Sequence, residues 1–280
     1  MVPPPPTRFS ITRWEILLNN RIIVAEDEEL DLCLAANRVV VELALGHQRG
    51  VWGWSQLKTF CVMLLHRLPD QRERLRPQAD WLEVKAEDLL RGFPSVAQAY
   101  LRRDFRDIRS GEQFCRERGM FIPKRLEYGF PLGLNLAVRM GRASILKAEI
   151  DWVSFLRAHP MQPRAWLDEA GRLSAAIASE GSWLGIEFPQ SALTFQHPLL
   201  IRRLISIVLH ARLIAAKLRG APWPVDVLDS TGASLRRWEK DGRLIGAYSV
   251  GPDGIDDGGD SNRDIQLRLV LDSPLPAAGP

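Results

Sequence analysis

Five aspartates lie within twelve residues near the C-terminus, and no other side chains in this sequence are so clearly spaced to do chemistry. The segment runs from Asp253 to Asp264, and Gly254, Gly258 and Gly259 lie between the acids. Carboxylates this close repel one another unless they are solvated or share a cation. Calcium takes roughly six to eight oxygen ligands in a flexible geometry, and glycines let a chain wrap tightly and turn its carbonyls inward. The segment therefore predicts a calcium site.

Composition alone leaves a second interpretation open, which is a polar turn with surplus acid between two strands. The segment does not follow the order of acids and glycine in an EF-hand, and it has no closing glutamate. It also lacks the glycine-rich nonapeptide repeat that binds calcium in β-helices. Neither of those two calcium loops is predicted.

The residues around the acids resemble a known loop. Tyr248-Ser-Val-Gly-Pro-Asp253-Gly, then Gly258-Gly259, then Asp264-Ile265, is similar to the C-terminal calcium loop of the major pseudopilins of type II secretion systems. The same tail resembles one found in uncharacterised, envelope-associated bacterial proteins. A helix ending at Gly220, a turn at Trp223-Pro224 and a hairpin also resemble the order of elements in pilins. Residues 1–196 carry no such resemblance.

The resemblance implies a calcium-stabilised module in which Asp253 and Asp264 are the best ligand candidates, together with the carbonyl oxygen of Val250. This sequence has one residue more between Gly254 and the glycine pair, and fewer after it. It also shows no prepilin-peptidase site or apolar N-terminal helix, so the resemblance implies the module and not membership of a secretion fibre. The complete set of candidate metal ligands is Val250, Asp253, Asp256, Asp257, Asp260 and Asp264.

Charge is distributed unevenly along the chain. The net charge of 280 residues is +3, and residues 222–280 hold six basic and ten acidic residues, a net charge of −4 that leaves +7 for the rest. An arginine-rich stretch at 102–125 is interleaved with acids at helical spacing, which favours surface ion pairs. A basic surface that binds nucleic acid or lipid is an alternative function, but a mixed-charge surface is the preferred interpretation and no nucleic-acid partner is expected.

Motifs for other chemistry are missing. The three cysteines form no CxxC pair, and the five histidines form no HExxH motif, so a zinc site is not predicted. The sequence contains no GxSxG elbow and no P-loop. An enzyme of hydrolase type, with its active site in the helical body, stays open as an alternative. No segment reads as a membrane helix or signal peptide, and whether a leader or anchor preceded residue 1 stays open.

Apolar periodicity and turn residues predict the elements that must position the acidic loop. Helices are predicted at 26–46, 56–67, 78–90, 95–118, 135–158, 162–182 and 197–220. Breaks are predicted at Pro69-Asp70 and at Gly92-Phe-Pro94. Short strands are predicted at 234–238, 243–250 and 266–271, and Asp241-Gly242 predicts a hairpin turn between the first two.

The predicted fold class is α+β, a mostly α-helical body followed by a small C-terminal antiparallel β unit with a calcium-type loop. The predicted organisation is a proline-rich tether at 1–25, a helical domain at 26–220, a β-rich tail at 221–273 and a frayed end at 274–280. The expected function is that of a non-catalytic protein with a structural calcium site, extracytoplasmic and associated with the bacterial envelope or with secretion. Its expected partners are other envelope or secretion proteins.

Overall fold

The computed structural model describes residues 25–46, 51–118, 150–183 and 197–269, together with Ile22, Lys147 and Ala148. Within these ranges, only the backbone is described for residues 27–28, 51–52, 99–118, 177–183 and 197. Residues 1–21 of the predicted tether and the predicted frayed end at 274–280 lie outside the described residues.

The chain is mostly helical and ends in a small antiparallel sheet, which confirms the predicted α+β class. Six helices are described: α1 (Asp27–Gly46), α2 (Val51–Leu75), α3 (Gln78–Arg118), α4 (150–158), α5 (Pro163–Trp183) and α6 (His197–Arg219). Three strands follow: β1 (Arg236–Lys240), β2 (Arg243–Ser249) and β3 (Ile265–Arg268). None of the helices that the structure describes is long and apolar enough to span a bilayer.

The second helix is longer at both ends than the sequence predicts. Helix α2 begins at Val51, before the predicted start at residue 56, and it continues past Pro69 to Leu75. The predicted break appears instead as a kink at Gln71, whose φ and ψ of −130° and 26° are not helical. Proline removes a helical hydrogen bond and bends a helix. Here the chain resumes its helix beyond the bend, where Leu75 is fully buried.

The predicted helix break at Gly92-Phe-Pro94 is wrong. Helix α3 runs without interruption from Gln78 to Arg118 and contains Pro94. Phe93 is fully buried, and its ring stacks on Trp166 with centroids 5.0 Å apart. Burial of two large aromatic rings stabilises this part of the helix by several kcal/mol on the scale of about 25 cal/mol per Å². That contribution offsets the cost of about 3 kcal/mol for a proline within a helix.

Two compact units are present, and the first combines residues 1–90 with residues 203–280. Its core lies between α1, α2, α6 and the start of α3. Phe60 and Trp81 meet edge to face with ring centroids 5.3 Å apart. Polar contacts also join α2 to α1 and to the residue before it. Arg74 forms a bidentate ion pair with Asp31 at 3.1 Å, and Arg67 donates to the carbonyl of Ala25 at 2.9 Å.

Helix α6 forms the centre of this first unit. Its fully buried residues recur on all sides, as expected for a central helix; they include Leu204, Ile205, Val208, Leu209, Leu213 and Ile214. The helix ends at Gly220, as predicted, with φ at +68°. Gly220 donates to Lys217 O at 3.2 Å and Ala221 donates to Ala216 O at 2.9 Å, which is a Schellman cap. Arg219 in the last turn pairs with carboxylates of α3.

The second unit contains residues 91–202. Trp152 and Trp166 are both fully buried in its core. The indole N–H of Trp166 donates to the carbonyl of His159 at 2.7 Å. The predicted helix start near Pro163 is confirmed, since α5 begins at that residue.

The sheet has the order β1-β2-β3, with both pairs antiparallel. The hairpin turn predicted at Asp241-Gly242 is confirmed, because these residues have φ of 53° and 71°, as a type I′ turn requires. On β2, Gly246 lies so close to the backbone of β3 that a Cβ there would overlap the Leu267 carbonyl. The β residues group with the first ninety residues in one compact unit. Whether residues 221–273 form a domain of their own stays a prediction.

Candidate functional site

The acidic loop occupies residues 250–264 and joins β2 to β3. Its ends are held together because Ser249 at the end of β2 pairs with Ile265 at the start of β3. Four glycines in or beside the acidic stretch have φ between 70° and 85°; they are Gly251, Gly254, Gly258 and Gly259. This left-handed conformation is costly for other residues and lets the loop fold back on itself. At Gly251 a Cβ would overlap the Arg263 carbonyl, so the two sides of the loop are in contact.

Asp264 is the most buried of the candidate ligands. Only 1% of the residue is exposed, and its Oδ2 accepts a hydrogen bond of 2.7 Å from Gly259 N–H. Burial raises the pKa of Asp264, and the hydrogen bond from Gly259 opposes that rise. Repulsion from Asp257, Asp256 and Asp253 raises the pKa further. The negative charges of three loop aspartates therefore all repel the carboxylate of Asp264.

Asp256 is held by donors from three elements. Its Oδ1 accepts from Tyr248 O–H at 2.9 Å and from Gly258 N–H at 3.0 Å, and its Oδ2 lies 2.7 Å from Arg236 Nε. Partial burial works against ionisation, but these hydrogen bonds and the arginine charge outweigh it, so the pKa of Asp256 is lowered. Burial and the same hydrogen bond raise the pKa of Tyr248 to about 12.

Asp257 has one oxygen in an ion pair and one oxygen that is buried. Its Oδ1 lies 3.1 Å from Arg263 Nη1. Its Oδ2 is buried and accepts no hydrogen bond from the part of the chain that the structure describes. A buried carboxylate oxygen without a donor costs free energy unless a cation or water satisfies it. This oxygen is the second feature of the loop that suits a bound cation.

Asp253, Asp260 and Val250 have other local contacts. Asp253 Oδ1 accepts from Ile255 N–H at 3.1 Å, and Asp260 Oδ1 accepts from Asn262 N–H at 3.0 Å. Both aspartates are exposed and each closes a turn through its own side chain. The predicted role of Val250 involves its carbonyl oxygen, whereas the contact described for it is made by its N–H. Their roles as ligands stay predictions.

Asp226 helps to hold the start of the acidic loop, a role that the sequence analysis did not predict. It is 1% exposed and precedes the sheet. Its Oδ1 accepts from Leu228 N–H at 2.9 Å and from Ser249 O–H at 2.8 Å, and its Oδ2 accepts from Val250 N–H at 3.0 Å. The turn to Leu228 is a local signal that sequence inspection can find. The contacts across to Ser249 and Val250 leave no local signal.

Arg236 on β1 is the second residue that sequence inspection missed. It pairs with Asp229 at 2.8 Å and with Asp256 at 2.7 Å, and its Nη1 lies 3.9 Å from the buried Asp226. Hydrogen bonds from Thr231 and Arg236 lower the pKa of Asp229 to about 2. Arg236 therefore links the segment after α6, the hairpin and the acidic loop through three carboxylates.

The donor set fits calcium in kind, because every candidate ligand offers oxygen. The buried Asp264 and the buried oxygen of Asp257 fit a cation in position. In the described arrangement, however, arginines already contact Asp256 and Asp257. Across the residues that the structure describes, no three His, Cys, Asp or Glu side chains stand ready as a metal-binding group. Any cation must therefore displace or supplement these arginine contacts.

The helical part of the first unit holds two buried titratable groups. Burial and the charge of Lys58 lower the pKa of His210 to about 4, and its ring hydrogen-bonds to the backbone of Arg268. Burial raises the pKa of the Cys61 thiol to about 12, which keeps it protonated and unreactive. Neither group has the environment of a catalytic base or nucleophile. The side chains of the arginine-rich stretch at 102–125 lie outside the described residues.

Comparisons of this chain with protein-family models, with curated proteins and with solved structures each found no match. The resemblance of residues 248–265 to a pseudopilin calcium loop therefore stays an expectation that rests on those residues alone.

Proposed function

We propose that the loop at 250–264 binds a calcium ion that stabilises the C-terminal β unit. The observation that carries the proposal is the environment of Asp264, a carboxylate that is 1% exposed and that three other aspartates of the loop repel. Without a cation, this arrangement opposes ionisation of Asp264. A divalent cation reverses the effect, because each nearby carboxylate then attracts it.

The ligands we assign are the carboxylates that act on one another, Asp253, Asp256, Asp257 and Asp264, with the carbonyl oxygen of Val250. Asp260 is a weaker candidate because its Oδ1 accepts two bonds from Asn262. The glycine-rich backbone suits the wrapping that calcium requires. Calcium needs several oxygens, and two of these carboxylates exchange an arginine for the ion when it binds.

The ion has a structural role in this proposal, and the protein around it is non-catalytic. We place the protein outside the cytoplasm, periplasmic or anchored at the bacterial envelope, with other envelope or secretion proteins as partners. One support is the likeness of residues 248–265 to a pseudopilin loop. The other is that extracellular modules bind calcium with dissociation constants of roughly 10⁻⁴–10⁻³ M, which suits a compartment where calcium is abundant. A hydrolase in the helical body or a basic surface for nucleic acid or lipid remain the alternatives, and no observation in the described residues favours either.

Thermal unfolding of the full chain in calcium, in magnesium and in chelator tests the proposal. At one hundred times the dissociation constant, calcium adds about 2.7 kcal/mol to the free energy of unfolding. For a chain of this size, we expect the melting temperature to rise by about 5 °C. Magnesium at the same concentration gives a smaller rise, because it prefers a rigid octahedral site and sheds water reluctantly.

Asp264→Asn separates a ligand from a merely structural carboxylate. The pKa of Asp264 is higher in the folded protein than in the unfolded chain. The protein therefore loses stability as the pH rises through this folded-state pKa and Asp264 ionises. In chelator at pH 7 the amide removes that penalty and can still accept from Gly259, so the variant is at least as stable as the wild type. In calcium its melting temperature does not rise.

Asp241→Asn is the matched control, since Asp241 lies in the hairpin turn of the same β unit and asparagine tolerates its φ of 53°. It keeps the full response to calcium. An unchanged melting temperature of the wild type in calcium, together with no heat of binding in calorimetry, refutes the proposed site. A response that survives Asp264→Asn refutes the assignment of Asp264 as its centre.

A further inference from the structure

One face of the sheet carries a row of polar side chains that crosses all three strands. The register places Arg236 of β1 opposite Tyr248 of β2, and Tyr248 opposite Gln266 of β3. Residues opposite one another in antiparallel strands have their side chains on the same face of the sheet. We call these three residues the polar row. Ala247 and Leu267, which alternate with them along β2 and β3, are buried on the other face.

Each member of the polar row contacts the acidic loop. Arg236 and Tyr248 both contact the carboxylate of Asp256, at 2.7 Å and 2.9 Å. The side-chain Nε2 of Gln266 donates to the carbonyl oxygen of Gly259 at 2.6 Å. The row therefore holds the loop at two points, a candidate ligand and a backbone carbonyl. Because the row spans the paired strands, the sheet fixes the distance between these two points.

Gly259 connects Gln266 to the most buried of the candidate ligands. Its carbonyl accepts from Gln266, and its N–H donates to Oδ2 of Asp264 at 2.7 Å. Its Cα rests on two aromatic rings, since a Cβ there would lie 3.3 Å from Cδ1 of Trp238 and 3.4 Å from Cδ1 of Tyr248. The peptide groups on both sides of Gly259 and its Cα are thus all in contact. These contacts fix the direction of its N–H, and with it the orientation of the carboxylate that accepts from it.

We infer that Gln266 is a positioning residue of the calcium site, which acts through Gly259 on Asp264; this inference rests on the proposed function. A carboxylate ligand must turn an oxygen towards the ion, and a fixed hydrogen bond to the carboxylate restricts how it can turn. Hydrogen-bonded partners behind the ligands of a metal commonly have this effect.

A glutamine has the chemistry that this position requires. The carbonyl oxygen of Gly259 can only accept a hydrogen bond, so the side chain opposite it must donate. The amide of Gln266 donates without bringing a charge. It therefore holds the loop without repelling a cation, whereas the arginines that contact Asp256 and Asp257 compete with one.

Two substitutions of Gln266 test the inference in the full chain. Gln266→Met keeps the length of the side chain and removes the donor. Gln266→Thr is too short to reach Gly259, and threonine favours a strand, so it keeps β3 intact. Calorimetry with calcium chloride should give a dissociation constant about tenfold higher for each variant than for the wild type, at the lower end of the effects of such partners because Gln266 acts through a second residue.

Amide hydrogen exchange in chelator separates positioning from a merely structural role. If Gln266 orients Gly259, the hydrogen bond from Gly259 to Asp264 weakens in both variants, and the Gly259 amide exchanges several-fold faster. The amides of Ala247 and Leu267 in the paired strands should keep their wild-type rates. A residue that only stabilised the sheet would speed the exchange of all three amides together.

The control is Gln98→Met, which makes the same substitution at a half-buried residue of α3; it should bind calcium as the wild type does. Circular dichroism verifies that each variant is folded. Calcium binding by both Gln266 variants that is as tight as in the wild type overturns the inference and leaves the calcium site intact. Faster exchange at Ala247 and Leu267 to the same extent as at Gly259 also overturns it. A wild type that binds no calcium overturns the proposed function, and the inference with it.

Discussion

The carboxylate of Asp226 accepts a hydrogen bond of 3.0 Å from the backbone N–H of Val250, 24 residues further along the chain. This contact joins the segment after α6 to the first residue of the acidic loop. Ser249 donates to the other oxygen of the same carboxylate at 2.8 Å. A buried carboxylate with three donors is fully committed to these contacts, so the start of the loop is fixed by a residue outside it.

Asp226→Asn should destabilise the protein although it changes only one atom. The amide NH₂ replaces an acceptor that faces N–H and O–H donors, and one or more of them loses its partner. Hydrogen bonds to a charged group contribute about 1.5–3 kcal/mol each, so we expect a loss of about 2–3 kcal/mol in urea unfolding. Asp241→Asn in the exposed hairpin turn is the control and should change stability by less than about 0.5 kcal/mol. Equal effects of the two variants would contradict this role for Asp226.

His210 should make the protein sensitive to acid. Its folded-state pKa of about 4 lies below the usual value of 6.5 because burial and Lys58 oppose the charged ring. The stability that this neutral histidine contributes is complete above pH 6.5 and is lost as the pH falls towards 4. The expected loss is about 1.4 kcal/mol per pH unit within that window.

His210→Gln isolates this contribution, because glutamine cannot be charged but can still donate to the Arg268 backbone. Urea unfolding between pH 7 and pH 4.5 should show a flatter dependence in the variant than in the wild type. His66→Gln is the comparison, since His66 is only half-buried and the lowering of its pKa is smaller. If His210→Gln leaves the slope unchanged, the imidazole is solvated in the folded state.

Gly246 should not tolerate a side chain. A Cβ at this position of β2 would overlap the Leu267 carbonyl of β3, so Gly246→Ala must separate the two strands that hold the ends of the acidic loop. We expect a loss of about 2–3 kcal/mol. Gly92→Ala is the control, because nothing lies within 4 Å of a Cβ in that helix, and alanine should stabilise α3 by about 0.5–1 kcal/mol. Similar losses in both variants would contradict the close strand contact.

The features that sequence inspection predicted correctly are local ones. The Asp241-Gly242 turn and the Gly220 cap both follow from residues that adopt positive φ at low cost, and the structure places them as predicted. The break at Pro94 was predicted by the same local reasoning and is wrong, because the burial of Phe93 against Trp166 is a contact between distant residues. Local preference is weak compared with such packing.

The candidate site divides in the same way. The acidic loop was visible because its carboxylates and glycines are adjacent in sequence. Asp226 and Arg236 were not, because their partners Val250 and Asp256 lie 24 and 20 residues away. Nothing in a single sequence marks an isolated aspartate as buried. The arginine contacts of Asp256 and Asp257 were also unforeseen, and in the proposed function they are the contacts with which a cation competes.

Arg263→Gln should increase the affinity of the loop for calcium. Arg263 is a positively charged side chain of the loop itself. Its Nη1 lies 3.1 Å from Asp257, and 61% of the side chain is exposed. An exposed ion pair of this kind contributes at most about 1 kcal/mol to stability, so the variant should remain folded in chelator. Without the arginine, calcium no longer competes for Asp257, and calorimetry should give a dissociation constant several-fold lower than that of the wild type.

Arg243→Gln separates this competition from a change of net charge. Arg243 is an exposed residue of β2 in the same β unit, and its removal alters the charge of the unit by the same amount. It should lower the dissociation constant for calcium far less, and that small effect should disappear at high salt because it acts over a distance. Equal gains in the two variants would show that only the overall charge matters. Weaker binding in Arg263→Gln would show that the arginine positions Asp257 for the ion, which reverses the role argued for it.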